Sequence, residues 1–499
     1  MLIAGLGGAA RHGTVALAEG GRVRAVCGQE RVTRVRGAGF NATGLPDEAL
    51  DTLLSRLGRS RCDVGRYVTG EMPSDVRGPH TLEQIDHHLA HACAAYLTSP
   101  FDAAAIVVCD EDAPKVTVWE GRGSSVTRVE HAWSGPGFVE VYGRFCGALG
   151  FRSATRDHRL EALARLTPDS RAGRLEGVVA TDAASLTIDP GLEGSIEQWT
   201  AGAADSDGIS RAPLAAALQA QLADAFVQLL TVVRRRTACK HLVLGGSFFY
   251  HSWVNTVAKL TGLFADVFVP IDPGNAGLAV GAALYAAHAA PGPVSPFLGP
   301  SYTGQEIKEA LDNCKLHYGW ESEDGVIATA VRALQQGTLV GWFDGAMEWG
   351  PRALGARCIL ANPFAPYVLE NLNRFLKRRE PWRGYAISGL EDAVHEHFDG
   401  PAKAPFMESD YRPRDPTRFA NVLPSPGAAI RIQTVDREVL PRFKRLLEAF
   451  GGATGLPFLV NTSFNGFHEP IVCGPRDAVR VFYGSGLDLL VLDQFILRK

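Results

Sequence analysis

The chain has 499 residues and 46% hydrophobic content, so at roughly 150 residues per domain it holds two or three domains with ample core material. That content excludes wholesale disorder. A formal net charge of −4 argues against a surface built mainly to bind nucleic acid or an anionic membrane, and leaves local basic sites open. Nine cysteines lie scattered with no CxxC pair and no metal-finger spacing, which reads as reduced thiols in a cytosolic protein.

In chain order, MLIAGLGGAARHG lacks a basic stretch ahead of its short apolar one, so no signal peptide is expected. Residues 2–30 read as two or three strands with a turn at Glu19-Gly20-Gly21-Arg22. A helix over 86–97, a strand over 103–110 and a long helix over 214–236 follow. Next come a strand at 241–244, a helix near 253–260, a strand at 267–269 and an Ala/Gly-rich apolar run over 276–290 that carries His288. That run is shorter than the ~18 residues of a membrane span and reads as a buried helix. Pro291, Pro293, Pro296 and Pro300 then crowd a stretch poorly suited to helix or sheet, the best domain boundary in the chain. Beyond it the pattern predicts helices at 325–335, 368–377, 440–450 and 476–483, with strands at 339–343, 458–460 and 489–492. Alternating strands and helices mean layered α/β domains, two of them.

The first chemical cluster is Asp86-His87-His88-Leu89-Ala90-His91. On a helix His87 and His91 share a face at i and i+4, where both imidazoles can reach one ion, while His88 points elsewhere. Asp110, closing the apolar run AAAIVVC, adds a carboxylate. Two histidines and a carboxylate suit iron(II), manganese or zinc with open positions. A hydrogen-bonded histidine pair is the competing reading. Gly245 and Gly246, between a strand and a helix, can let backbone approach a phosphate or ribose, or can simply make a tight turn. The glycines of Gly274-Asn275-Ala276-Gly277 can likewise serve helix packing alone.

In the second half, GWFDGAMEWGPRALG runs from a strand into a loop carrying Glu348 and Arg352, with Pro351 fit for a first helical turn. Lys377-Arg378-Arg379-Glu380-Pro381-Trp382-Arg383 places four cations in seven residues. Arg431 sits inside the strand-like IRIQTV, where a cation needs an anionic partner, and Asn461-Thr462-Ser463-Phe464-Asn465 follows another apolar strand. Together these point to a phosphate-rich ligand such as ATP.

DHHLAHACAAY, GWFDGAMEWGPRALGARCIL, LKRREPWRGYA, IRIQTV and VNTSFNGFHEPIVCGPRDAV resemble the NodU/CmcH-type O-carbamoyltransferases of nodulation-factor and antibiotic biosynthesis. The resemblance covers essentially the whole chain and is strongest after residue 338. It implies an α/β chain with an N-terminal actin/hexokinase-like domain over 1–290, of the kind found in tRNA threonylcarbamoyl transferases. A Pro-rich linker over 291–305 and a C-terminal YrdC-like α/β domain over 306–499 complete it. Carbamoyl phosphate and ATP would give carbamoyl-adenylate in the C-terminal domain. The N-terminal domain, with a divalent metal (iron(II), or manganese, magnesium or zinc), would pass the carbamoyl group to a hydroxyl of a small-molecule acceptor.

Residue by residue, the resemblance places His87, His91 and Asp110 on metal-ligand positions. Asn275 stands where the family has an aspartate, and Asp272 is a possible substitute. Lys377, Arg383, Arg431, Asn461 and Ser463 match the carbamoyl-phosphate and adenylate pocket, Arg352 falls in the GPRALG loop, and His12 matches an N-terminal histidine near the transfer site. Departures are Asp110-Glu111-Asp112-Ala113 after the ligand aspartate, Asn421-Val422-Leu423-Pro424 before the arginine strand, Arg159 for lysine, and His468 for glycine. Two other readings compete. A tRNA-modifying threonylcarbamoyl enzyme is opposed by the acidic balance, and a non-catalytic nucleotide-binding relative is opposed by the intact Lys377, Arg383 and Arg431. No nucleic-acid or membrane partner is expected, a symmetric homodimer is the ordinary assembly, and no residue pattern identifies the acceptor.

Overall fold

A computed structural model of the protein describes residues 1–72, 81–152, 156–169, 179–189, 191–192, 194, 208–436 and 441–499. Strands β1 (Leu2–Gly7), β2 (Thr14–Glu19) and β3 (Arg22–Gly28) form an antiparallel meander. β4 (Val64–Thr69) joins parallel to β1, and β5 (Leu82–Gln84) parallel to β4, giving the order β3-β2-β1-β4-β5. Gly20 (φ 61°) and Gly21 (φ 74°) supply the two left-handed residues that a tight β2–β3 hairpin requires.

The same plan recurs. β6 (Ala103–Cys109), β7 (Val116–Arg122) and β8 (Ser125–Val129) form a second meander. After a separate hairpin of β9 (Val179–Thr181) and β10 (Leu186–Ile188), the strands β11 (His241–Gly245) and β12 (Asp266–Phe268) extend it in parallel, in the order β12-β11-β6-β7-β8. β6 is buried from Ala104 to Cys109, as a strand covered on both faces must be. Each half ends on a helix, His87–Tyr96 after β5 and Leu278–Ala286 after β12. The first packs on the second sheet and the second on the first, so the pair lies between the sheets. They cross at Gly281, where a Cβ would stand 2.0 Å from the Ala90 carbonyl oxygen. This duplicated sheet-and-helix plan is the actin/hexokinase-like fold that the resemblance implies. The duplication lies in topology alone, which is why no repeat is legible in the residues.

The helix Ala212–Thr237 runs slightly beyond its expected bounds and buries Leu218, Leu222, Phe226, Leu229 and Val233. By length and composition the stretch Ile209–Thr237 is the one described helix long and apolar enough to cross a membrane, and 61% of its apolar window is buried inside the fold.

The C-terminal part is mixed α/β around one sheet. Its strands are β13 (Gly319–Trp320), β14 (Val340–Phe343), β15 (Arg357–Ala361), β16 (Ala386–Leu390), β17 (Phe398–Asp399), β18 (Ser409–Pro413), β19 (Ile430–Val435), β20 (Phe458–Ser463), β21 (Leu489–Leu492) and β22 (Phe495–Arg498). Their order is β13-β22-β21-β14-β15-β20-β16-β19-β18-β17, with the β14–β21 and β16–β19 pairs parallel. Helices Glu323–Gln335 and Pro441–Thr454 cover one face, and Gly304–Asn313 and Pro475–Tyr483 share the core on the other.

Two local expectations need correcting. Pro351 starts no helix: residues 351–356 stay in turns, because the buried Glu348 carboxylate accepts the backbone N–H groups of Leu354, Ala356 and Arg357 at 2.8–3.1 Å and folds the loop around itself. The predicted helix at 368–377 is α only over Val368–Glu370 and π over Asn371–Lys377. The proline-rich stretch, as its composition predicts, has neither helix nor strand from 287 to 303. It bonds to both parts, through Leu298 O to Val26 N (2.9 Å), Pro300 O to Met347 N (3.1 Å) and Pro296 O to Trp349 N (3.0 Å).

Candidate functional site

The helix that carries the histidines begins at Asp86, whose carboxylate accepts Leu89 N–H at 2.7 Å. His87 and His91 stand one turn apart with ring centroids 4.8 Å apart. His87 Nε2 is 3.0 Å from Asp110 Oδ2, and His91 Nε2 is 3.6 Å from the same oxygen. His88 turns away as expected, its Nδ1 2.8 Å from the Thr117 hydroxyl, and burial pushes it down to about 4. Asp110 is 1% exposed. Burial alone would raise its pKa, but His91, His87 and the Ser247 hydroxyl hold it well below the carboxylate range. It therefore stays an anion.

These residues fit a divalent cation. Both ring nitrogens of the buried His91 lack a hydrogen-bond partner, and so does the buried Asn275 Oδ1. A buried polar atom without a partner is costly, and a bound cation would remove that cost. Asp110 and Asn275 line one cavity of about 1050 Å³, with Glu71, Asp112, His12 and His158. Asp272, the alternative ligand, is otherwise engaged: its Oδ1 accepts the Tyr250 hydroxyl and Gly274 N–H, and it faces a different cavity.

Gly245 and Gly246 do not form a phosphate loop. Gly246 N–H donates to Pro273 O at 2.8 Å and Ser247 N–H to Asp110 Oδ1 at 2.8 Å, so neither is free for a nucleotide. Gly246 (φ 101°) is required because a Cβ there would lie 2.1 Å from Cys109 O. The turn holds Asp110.

A second cavity, about 290 Å³, lies between the two halves. His12, Glu30 and Asp272 line it from one side, and Arg352, Ser463, Asn465 and Glu469 from the other. It shares His12, His158, Tyr250 and Ala276 with the larger cavity, so the two adjoin. His12 (φ 62°) is held at the shared wall by Glu30, 3.4 Å away. Glu30, which burial would raise, is drawn down to about 2 by His12, Arg31 and Gly37 N–H. Arg352 donates to Tyr250 O at 3.2 Å and makes no ion pair within 4.0 Å among the described residues. Burial, then the nearby Arg431, lowers it to about 9. It is a half-buried cation without an ion-pair partner among the described residues.

The other carried-over residues stand further back. Arg431 already has its anionic partner, which is protein: Nη2 is 3.0 Å from Glu161 Oε2 of the N-terminal part, and Nε donates to Ser252 Oγ at 3.2 Å. The ligand inferred from a cation inside a strand is, at this residue, a buried carboxylate. Arg383 is 3.7 Å from Glu380, which also pairs with Arg159 across the halves at 2.6 Å. Asn461 is 2% exposed and gives its amide hydrogens to Ala353 O, Ser388 Oγ and Gln433 Oε1 beneath the cavity. The Lys377 ammonium spends its donors on Ser463 O (2.7 Å), Asn465 O (3.2 Å) and Asn465 Oδ1 (2.8 Å). It reaches the cavity through its charge, behind residues that line it.

Lys377 yields a pH prediction. Burial, with Arg379 nearby, pushes it down to about 7, far below the ordinary lysine range. At pH 8 it is mostly neutral in the free protein, and a bound phosphate restores its charge. Inorganic phosphate binding should then take up a proton at pH 8 and almost none at pH 6, with no uptake in Lys377→Met. Calorimetry in buffers of differing ionisation enthalpy reads this, and a proton count in wild type that does not change with pH would refute it.

Sequence reasoning missed Glu71, His158, Glu161, Tyr250 and Ser252. None sits in a motif of chemical spacing; each becomes visible only when distant segments meet. His158 lines both cavities and is exposed within them, with the Arg352 charge nearby. His468, standing for glycine, adopts φ 57°, which explains why glycine suits that position.

The family described as Carbamoyltransferase C-terminus matches residues 331–499. Uncharacterized protein sll1178 of Synechocystis sp. is 30% identical over 469 residues, covering 83% of this chain and 76% of that one. Nodulation protein NolO of Bradyrhizobium diazoefficiens is 35% identical over 297 residues, covering 57% of this chain and 54% of NolO. Nodulation protein U of Rhizobium tropici is 35% identical over 225 residues, 45% of this chain and 38% of its own length. The chain thus aligns with about half or less of these nodulation relatives. Among solved structures, the activator of the 2-hydroxyisocaproyl-CoA dehydratase from Clostridium difficile is similar at TM-score 0.36 and 17% identity, covering 57% of this chain and 94% of that one. HypF of T. kodakarensis is similar at TM-score 0.34 and 13% identity, covering 57% of this chain and 48% of HypF.

Proposed function

The chain belongs to the carbamoyltransferase family, and on that premise we propose that it uses carbamoyl phosphate and ATP to make carbamoyl-adenylate and passes the carbamoyl group to a hydroxyl of a small-molecule acceptor. One observation carries the reading. A cavity with metal-type ligands adjoins an interdomain cavity lined by a half-buried arginine with no ion pair among the described residues, across a wall shared by His12, His158 and Tyr250. A reactive mixed anhydride made on one side can be consumed on the other without crossing bulk water.

In this reading one water hydrolyses carbamoyl phosphate to carbamate and inorganic phosphate, the carbamate oxygen attacks the α-phosphorus of ATP, and pyrophosphate leaves. Arg352, with the charge of Lys377 behind Ser463 and Asn465, stabilises the phosphate oxygens of that step. The acceptor oxygen then attacks the carbamoyl carbon and AMP departs. An imidazole at the shared wall, that of His12 or His158, takes the acceptor proton. A divalent metal such as iron(II) or manganese, held by His87, His91, Asp110 and Asn275, would act as Lewis acid toward the carbamoyl oxygen or acceptor hydroxyl. The test is mass spectrometry of products from ATP, carbamoyl phosphate and a panel of hydroxylated small molecules. A gain of one carbamoyl group with equal AMP supports the reading; AMP formation that needs L-threonine and bicarbonate instead refutes it.

A further inference from the structure

The ligand set has a single carboxylate, because Asn275 supplies a neutral oxygen. We propose that Asp112 is a direct ligand of the divalent cation and that Glu71 orients His87 to bind it, together restoring the missing charge. The inference rests on the metal-binding part of the reading above and on no step of carbamoyl chemistry.

Two groups of ligand atoms meet at His87: those of His87, His91 and Asp110 lie within 4.8 Å of one another, and so do those of Glu71, His87 and Asp112. Two carboxylates approach the same ring nitrogen, Asp110 Oδ2 at 3.0 Å and Asp112 Oδ2 at 3.6 Å from His87 Nε2. One N–H can serve only one of them, whereas one cation satisfies both carboxylates and the nitrogen. When Nε2 is a ligand, the ring proton sits on Nδ1, and Nδ1 faces Glu71 Oε1 at 3.9 Å. Glu71 is itself fixed, its Oε2 accepting Ala9 N–H at 2.7 Å. A carboxylate behind a ligand imidazole is the usual way that a metal site fixes ring orientation. Independently, His91 is 1% exposed with neither ring nitrogen hydrogen-bonded, so a buried donor points into the same space. The Asp112 side chain is 62% exposed, which leaves it free to close over an entering ion and makes its substitution harmless to the fold.

The experiment titrates Mn²⁺ alone into the metal-free full chain by calorimetry at fixed pH. Asp112→Asn should weaken binding at least about tenfold, and Glu71→Gln by about 10- to 100-fold, the range for lost outer partners of metal ligands. Adding Asn275→Asp to Asp112→Asn should recover most of the affinity, because it returns the charge at the other position. Thermal melting of the metal-free Asp112→Asn protein should match wild type. Wild-type Mn²⁺ affinity in Asp112→Asn, or no rescue by Asn275→Asp, would overturn the assignment, and so would absence of Mn²⁺ binding in the wild type. Each can happen whether or not carbamoyl transfer is the reaction.

Discussion

Arg352→Ala should lower the rate of carbamoyl-phosphate-dependent AMP formation by about 10²- to 10³-fold, the usual loss when one preorganised donor to a developing anion is removed. The same variant should melt no lower than wild type. Arg352 is half-buried at the interdomain cavity, donates to one backbone carbonyl, and makes no ion pair within 4.0 Å among the described residues. Partly desolvating a guanidinium without an ion-pair partner destabilises the folded state, so its removal should cost no stability while it takes one positive charge from the cavity wall. Rate and melting temperature moving in opposite directions would identify a residue kept for function. Near-wild-type AMP formation in Arg352→Ala would show that another cation holds the phosphates.

Glu161→Ala should behave in the opposite way and cost about 3–5 kcal/mol of stability, the range for breaking one partner out of a buried ion pair. Glu161 is 1% exposed and accepts from Arg165 Nη2 (2.6 Å), Arg431 Nη2 (3.0 Å), Ser252 N–H (2.8 Å) and Ser252 Oγ (2.9 Å). Burial favours its neutral form, yet Arg165 and Arg431 hold it well below the carboxylate range, so it is ionised at any working pH. Alanine would leave the two guanidinium groups facing each other, with Asp410, 3.0 Å from Arg165, as their remaining counter-ion. Urea unfolding measures the loss. A change below about 1 kcal/mol would mean that water or rearranged side chains replace the carboxylate. Because Arg431 comes from the C-terminal sheet and Glu161 from the N-terminal part, this loss should also loosen the two halves from each other.

Periodicity and punctuation made the central elements legible. The apolar run before Asp110, the capped helix after Asp86 and the strand IRIQTV all lie where their patterns put them. Edge strands such as β8, with a mostly exposed pattern, carry too little apolar signal to be seen. At the site, His87, His91 and Asp110 were legible because two of them share one helix and the third ends a strand. The partners that decide what a residue can do were not. Arg431 announced a buried charge, but Glu161 lies 270 positions away in sequence. Gly245 and Gly246 announced a close backbone approach, but whether to a phosphate or to Cys109 depends on the sheet order. Local pattern reports that a requirement exists; tertiary contact decides which group meets it.

The glycine contacts around the histidine helix have a mechanical consequence. Gly281 abuts Ala90 O, Gly245 comes within 3.0 Å of His91 O at its Cβ position, Gly246 abuts Cys109 O, and Gly277 abuts Asp272 O. The three chain segments that bear His91, Asp110 and the pair Asp272 and Asn275 are thereby keyed, with the Gly245-Gly246 turn, backbone to backbone, without side chains between them to act as cushions. Such a block has no soft coordinate: it moves as one piece or not at all. Any opening that admits a bulky acceptor must be taken up at the rim, where Phe40, Met72 and Val139 border the larger cavity. Evolution and engineering are held to the same division. The keyed block resists added volume at each of its glycines, and the shape of the larger cavity is free to vary along that rim.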